Sequence, residues 1–200
     1  MSLASGLFWF ILAVIFAAIE IESEGIYGWA EKMPTWYRTT GFWGKLYGLA
    51  MSKKPLTGYH SFMFFLPVMI FHAPFFSGVA WSISAELSTM ALYLLWCPMW
   101  DFLWFVLNPE YGLKNFKKDK VWWHAKSPWV LGIPLDYINA VVISIVLAGL
   151  AEKKIPYGHL YLVGFFLACT TVTIFLAPIY HNWYRWMRRK DDRSEAGIHH

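Results

Sequence analysis

The chain has 200 residues, of which 58% are hydrophobic and only 15% charged, with a formal net charge of +4. A soluble domain carries about 25% charged residues, so this much apolar surface needs lipid as part of its solvent. Disordered, disulfide-scaffold and coiled-coil classes are excluded, and the composition reads as an all-α, polytopic integral membrane protein with one transmembrane domain over residues 1–200.

Five apolar runs reach the roughly 20 residues that a helix needs to cross a bilayer. The first covers about residues 3–22. It lacks the positive n-region of a signal peptide and has no cleavage site before Glu20, so it reads as a retained span. Residues 25–57, rich in Gly, Pro and aromatics, are expected to lie on the membrane surface as short amphipathic pieces. The remaining spans are predicted at about 59–77, 79–107, 129–151 and 160–184, followed by a tail over 185–200. Each must be helical, because lipid offers nothing else to the backbone amides. Cys97 and Cys169 both fall inside apolar runs, leaving no disulfide framework and no Cys-x-x-Cys knuckle.

Charge sets the expected orientation. Lys32, Arg38, Lys45, Lys53 and Lys54 follow span one; Lys114, Lys117, Lys118, Lys120 and Lys126 lie between spans three and four; Arg185, Arg188, Arg189, Lys190 and Arg193 fill the tail. Only Lys153 and Lys154 fall on the opposite side. The positive-inside rule then places the N-terminus outside and the C-terminus in the cytoplasm, as a multi-pass protein of the cell (inner) membrane. Basic residues confined to membrane flanks leave no stripe for nucleic acid. Tyr27, Trp29, Trp36, Tyr37, Trp122, Trp123, Trp183, Tyr184 and Trp186 read as a cytoplasmic interfacial belt.

The acids carry the functional signal. Between Glu86 and Asp101 the uncharged run Leu87–Trp100 has 14 residues, about 21 Å of helix against a core of ~30 Å. At least one of the two acids therefore sits in the membrane. Tyr137–Ala151 is similarly short, which draws Asp136 below the surface, with Pro134 expected to kink the helix beside it. An acid at such depth costs roughly 2.5–3.5 kcal/mol on insertion scales and usually faces a protein interior. Glu20 and Glu24 share a face at i, i+4, and with the orientation above Glu20, Glu24, His60, Asp101, Asp136 and His181 all fall near the inner interface. His124, between Trp123 and the basic loop, is placed to dip toward the same depth. Carboxylates with imidazoles form a ligand set for iron, manganese or zinc, and four-helix proteins build di-iron sites from such residues. No His-x-x-x-His or His-x-x-His-His box is present. His199 and His200 are set aside as tail residues.

A second pair, His72 and Glu86, is placed to meet across the turn between spans two and three, either locking that hairpin or passing a proton. Glu86, Thr89, Tyr93, Cys97 and Asp101 fall on one stripe of span three. Thr170, Thr171 and Thr173 are expected to bond to their own helix backbone. Phosphate-binding glycine motifs are absent. Every lysine reads as interfacial, which removes a retinal Schiff base, and only His60 and His181 lie at depths suited to paired haem ligation.

Three functions are compatible with these residues. The favoured one is a membrane-embedded metalloenzyme acting on a lipid or other apolar substrate, with Glu20, Glu24, His60, Asp101, Asp136 and His181 as the metal set and Asp101 and Asp136 catalytic. The second is a proton- or ion-coupled carrier using the span-three stripe, with His72 and Glu86 as its outer step. The third is an accessory subunit of a larger membrane complex, in which oligomer or partner contacts bury the aromatic faces.

Overall fold

A computed structural model describes residues 2–193 and residue 195; the end of the predicted tail, with His199 and His200, lies outside them. The described chain is all-helical apart from two short strand pairs. Its helices are α1 (Leu3–Glu24), α2 (Gly41–Ala50), α3 (Gly58–Phe76), α4 (Ile83–Leu107), α5 (Leu135–Glu152) and α6 (Tyr157–Arg189). Five of them, all but α2, are long and apolar enough to cross a membrane. Strands β1 (Tyr37–Arg38) and β2 (Leu56–Thr57) pair antiparallel, as do β3 (Trp129–Val130) and β4 (Ile133–Pro134).

Caps decide the boundaries. Ser2, Thr57 and Ser82 each accept a backbone N–H from the first turn that follows, satisfying donors that have no partner within the helix. Ser82 thus starts α4 four residues later than the apolar run suggests. At the fourth span the correction is larger. Trp129–Pro134 forms a hairpin whose two turn residues, Leu131 and Gly132, both have positive φ, as a two-residue I′ turn requires. Pro134 therefore precedes the helix rather than kinking it, and Asp136 sits in the first turn of α5, where an acid suits the positive end of the helix dipole.

Helix α4 is the hub, packing against α1, α3, α5 and α6. Small buried residues let backbones close on it: Ala13 and Ala17 on α1, and Ser144, Ala148 and Ala151 on α5. Trp96 lies at the centre, donating its indole N–H to Trp9 O at 2.9 Å and meeting Phe16 edge-on at 5.2 Å. Such aromatic pairs add about 0.5–1.5 kcal/mol beyond their buried area. Outward faces are apolar instead, with Phe8, Ile11, Ile15 and Ile19 exposed along α1 and Leu167, Val172, Phe175 and Ile179 along α6. The expected aromatic belt divides: Trp36, Trp122, Trp183 and Trp186 are exposed, but Trp29, Trp123 and Tyr184 turn inward and are buried.

The C-terminal half of α4 and the ends of α1 and α5 nearest it carry Glu20, Glu24, Asp101 and Asp136, the start of α3 adds His60, and residues of the segments 25–57 and 108–134 line the same cavity. Asn108 and Arg185 tie these segments down, bonding to Gly25 O and Pro109 O at 2.7 Å each.

Candidate metal centre and acid–base chamber

Helix spacing and one helix cap build the first cluster. Glu20 and Glu24, one turn apart on α1, face His60 in the first turn of α3. One oxygen from each carboxylate and one nitrogen of His60 lie within 4.8 Å of one another, and all three residues are buried. Ligands on one first-row ion, with bonds of ~2.0–2.2 Å, stand about 3–4.4 Å apart, so a small inward closure places the three on one cation. Thr57 orients the imidazole: its hydroxyl lies 2.9 Å from His60 Nδ1 and also accepts the His60 backbone N–H at 3.0 Å. Nε2 then faces Glu24, 3.6 Å from Oε1. That arrangement, with one imidazole nitrogen fixed by a neighbour and the other directed at the carboxylates, is the usual support for a ligating histidine. Glu24 is held in turn by the Ala30 backbone N–H at 2.5 Å.

A second cluster stands on α4 and α5. Asp101 Oδ2 accepts from His124 Nε2 at 2.9 Å and from the Tyr137 hydroxyl. Asp136 Oδ1 accepts from Ser52 Oγ at 2.7 Å, and its Oδ2 lies 3.8 Å from His124 Nδ1. The imidazole of His124 therefore sits between the two carboxylates, one nitrogen turned to each. It is fixed by a 3-10 turn over Trp122–His124 and by Trp129, whose indole N–H donates to His124 O at 3.0 Å.

Both clusters line one cavity of about 500 Å³, together with Lys54, Tyr47, Tyr93, Cys97 and Trp100. Lys54 is buried and covers the Trp29 ring at 4.7 Å. Burial pushes its ammonium below its ordinary value, while Asp101 and Asp136 pull it partly back. Lys54 lies in the segment that the sequence reads as a membrane flank, yet its side chain turns into the protein and closes the chamber from the loop side. Among the described residues, five buried groups on this cavity wall make no hydrogen bond within the protein: Tyr47 Oη, Trp100 Nε1, Trp104 Nε1, His124 Nδ1 and Asp136 Oδ2. Polar groups of that kind are the ones a bound ligand or ordered water satisfies.

The structure thus separates the predicted ligand set. Glu20, Glu24 and His60 form one metal-competent group; Asp101 and Asp136 form another around His124; His181 belongs to neither. His181 Nε2 instead donates to Val106 O at 3.0 Å, tying α6 to the end of α4, and it shares no site with His60. His72 and Glu86 meet at the far end of the bundle at 3.0 Å. Thr89 on the intervening stripe bonds to Ala85 O, as Thr170, Thr171 and Thr173 do to carbonyls one turn back. Tyr137, Ser52 and Lys54 carried no signal in the sequence, since each sits beside stronger-looking residues. No protein-family model matches the chain, and comparisons with curated proteins and with solved structures return no match.

Proposed function

We propose that this is a metal-dependent enzyme of the cell membrane, in which Glu20, Glu24 and His60 hold a divalent iron, manganese or zinc ion and Asp101, His124 and Asp136 handle protons. The observation that carries the reading is the convergence of three buried ligand atoms within 4.8 Å on the wall of a cavity that also holds the second cluster. Four carboxylates, two imidazoles and one ammonium in a chamber of low dielectric are short of positive charge, and a divalent cation supplies it. Three protein ligands leave coordination positions open for water, oxygen or substrate. Asp101 and Asp136, on either side of His124, are suited to accept and return a proton there. Phe64, Leu94 and Ile143 give the same cavity apolar walls, which favours a lipid or other apolar substrate. Under this reading the chamber lies at the cytoplasmic interface, with the N-terminus outside.

The test is elemental analysis of the full chain purified in detergent without chelators. Stoichiometric metal is expected in the parent and its loss in Glu24→Gln and His60→Ala, both retaining helical content. A metal-free parent that keeps its fold overturns the proposal.

A further inference from the structure

The cavity is open in a direction that the metal cluster does not explain. Helix α4 packs against α3 on one side and α5 on the other, but α3 and α5 have no substantial packing contact with each other. The cavity fills the gap between them, with α4 as its back wall. Beyond the acids its lining includes apolar side chains from each helix, Phe64 from α3, Leu94 from α4 and Ile143 from α5, with the polar groups of Tyr93 and Asn139 beside them, and Ile143 is 48% exposed on the outward, apolar face of the bundle. With the bundle spanning a bilayer as proposed above, a molecule in this gap meets hydrocarbon.

The other end of the cavity is charged. Lys54 makes no direct ion pair with a described carboxylate; its ammonium covers the face of Trp29 at 4.7 Å and feels Asp101 and Asp136 only across the cavity. Its side chain is buried and reaches the cavity with donors that make no hydrogen bond among the described residues, so a ligand in the cavity can take them. Helix α2 sits above this end. Tyr47, Ala50 and Met51 line the cavity, whereas Phe42, Trp43, Leu46 and Leu49 point outward and are exposed. A short helix with an apolar outer face lies in the headgroup layer, which sets the charged end of the cavity at headgroup depth.

Resting on the metal-dependent reading above, we propose that the substrate is a membrane amphiphile with an acyl-type chain and an anionic oxygen head group, which enters sideways between α3 and α5 and is anchored by Lys54. A volume near 500 Å³ is in the range of small-molecule sites and holds a head group and the first part of one chain, the remainder lying in lipid. A water-borne anion has no chain to place between α3 and α5, so it lacks the contacts with Phe64, Leu94 and Ile143 that a lipid makes. Lys54 selects the head group by charge-assisted hydrogen bonds, stronger than those a neutral head group makes, with the cation of the proposed centre offsetting part of the charge of the four carboxylates that share the cavity.

The experiment titrates the full chain in maltoside micelles with 1-oleoyl-lysophosphatidate, with monoolein and with inorganic phosphate, read by native mass spectrometry, with metal content measured in parallel. Lysophosphatidate is expected to bind about tenfold tighter than monoolein, matching one charge-assisted contact, and inorganic phosphate to leave both unaffected. Lys54→Met should abolish the preference and Lys54→Arg restore it. Ile143→Trp should weaken both chain-bearing ligands, and all three variants should keep the parent's metal. Equal binding of the two amphiphiles by the parent, a preference that survives Lys54→Met, or competition by inorganic phosphate with Ile143→Trp silent each overturns the proposal. Selective amphiphile binding by a metal-free parent would remove the metal reading and leave this one standing.

Discussion

Trp29 lies flat against the imidazole of His60, ring centroids 4.0 Å apart and planes 15° from parallel. The stack depends on an unusual backbone: Gly28, Trp29 and Ala30 all have positive φ, at 66°, 47° and 53°. Gly28 cannot be replaced, because a Cβ there would stand 2.3 Å from Trp123 Cη2. Gly28→Ala is therefore expected to cost at least the ~1–2 kcal/mol of a left-handed non-glycine residue and to lower metal occupancy by releasing Trp29 from His60. Thermal unfolding in detergent and elemental analysis check the two parts; a variant with normal metal would show that the stack is dispensable.

Thr57 caps α3 and orients His60 with a single hydroxyl, so its removal has two consequences. Thr57→Val should lose about 1 kcal/mol of cap stabilisation and, by freeing Nδ1, weaken metal binding roughly 10–100-fold. Thr57→Ser, which keeps the hydroxyl, should restore most of both. Competition with a chelator of known affinity measures the second effect.

Asp101 lines the chamber but its Oδ2 is engaged by His124 and Tyr137, outside the group formed by Glu20, Glu24 and His60. Asp101→Asn is then expected to retain metal near the parent level, whereas Glu24→Gln loses it. Elemental analysis of the two side by side decides the point; loss of metal in both would bring Asp101 into the ion's own ligand set.

How much of this was legible in the sequence follows from which forces act locally. The existence of five apolar helices needs only apolar runs of sufficient length, and depth arguments found the short uncharged segments beside Asp101 and Asp136 without any coordinates. The i, i+4 spacing of Glu20 and Glu24 also reads directly. Helix starts were misplaced where a turn overrode hydropathy, as at Leu131–Gly132. Depth says nothing of rotation about the helix axis, so it does not foresee that the His181 imidazole faces Val106 O rather than the chamber. Tyr137 and Lys54 reach the chamber through tertiary folding of segments that look like ordinary membrane flanks. Their roles could not be read from neighbours in sequence.

At the opposite end of the bundle, Glu86 joins α4 to α3, with Oε1 3.0 Å from His72 Nε2 and Oε2 accepting from Trp81 Nε1 at 3.1 Å. His72 Nδ1 lies 2.7 Å from Val68 O, an acceptor only, so this nitrogen donates. The pair reads as a lock on the α3–α4 hairpin. Glu86→Ala should lower unfolding stability by about 1 kcal/mol and leave metal content unchanged. A pH-gradient-driven flux in proteoliposomes that disappears in Glu86→Gln would instead favour a carrier.

Lys54 gives a pH dependence whose sign is fixed by its burial. Its ammonium is held below the ordinary lysine value chiefly by desolvation. Between that lowered value and the ordinary one, the unfolded chain binds the proton and the folded chain does not, so stability rises as pH climbs through the interval. Below it both states are charged, and the folded protein bears the full cost of burying the ammonium. Lys54→Met removes that cost at similar volume. It is expected to unfold at a higher temperature than the parent at neutral pH, with the difference shrinking as pH rises toward the ordinary lysine range. Melting curves from neutral to alkaline pH, in detergent free of anionic lipid, provide the check. A difference that stays constant with pH, or a variant less stable than the parent at neutral pH, would mean that Asp101 and Asp136 compensate the ammonium fully, leaving Lys54 no unmet charge to offer a ligand.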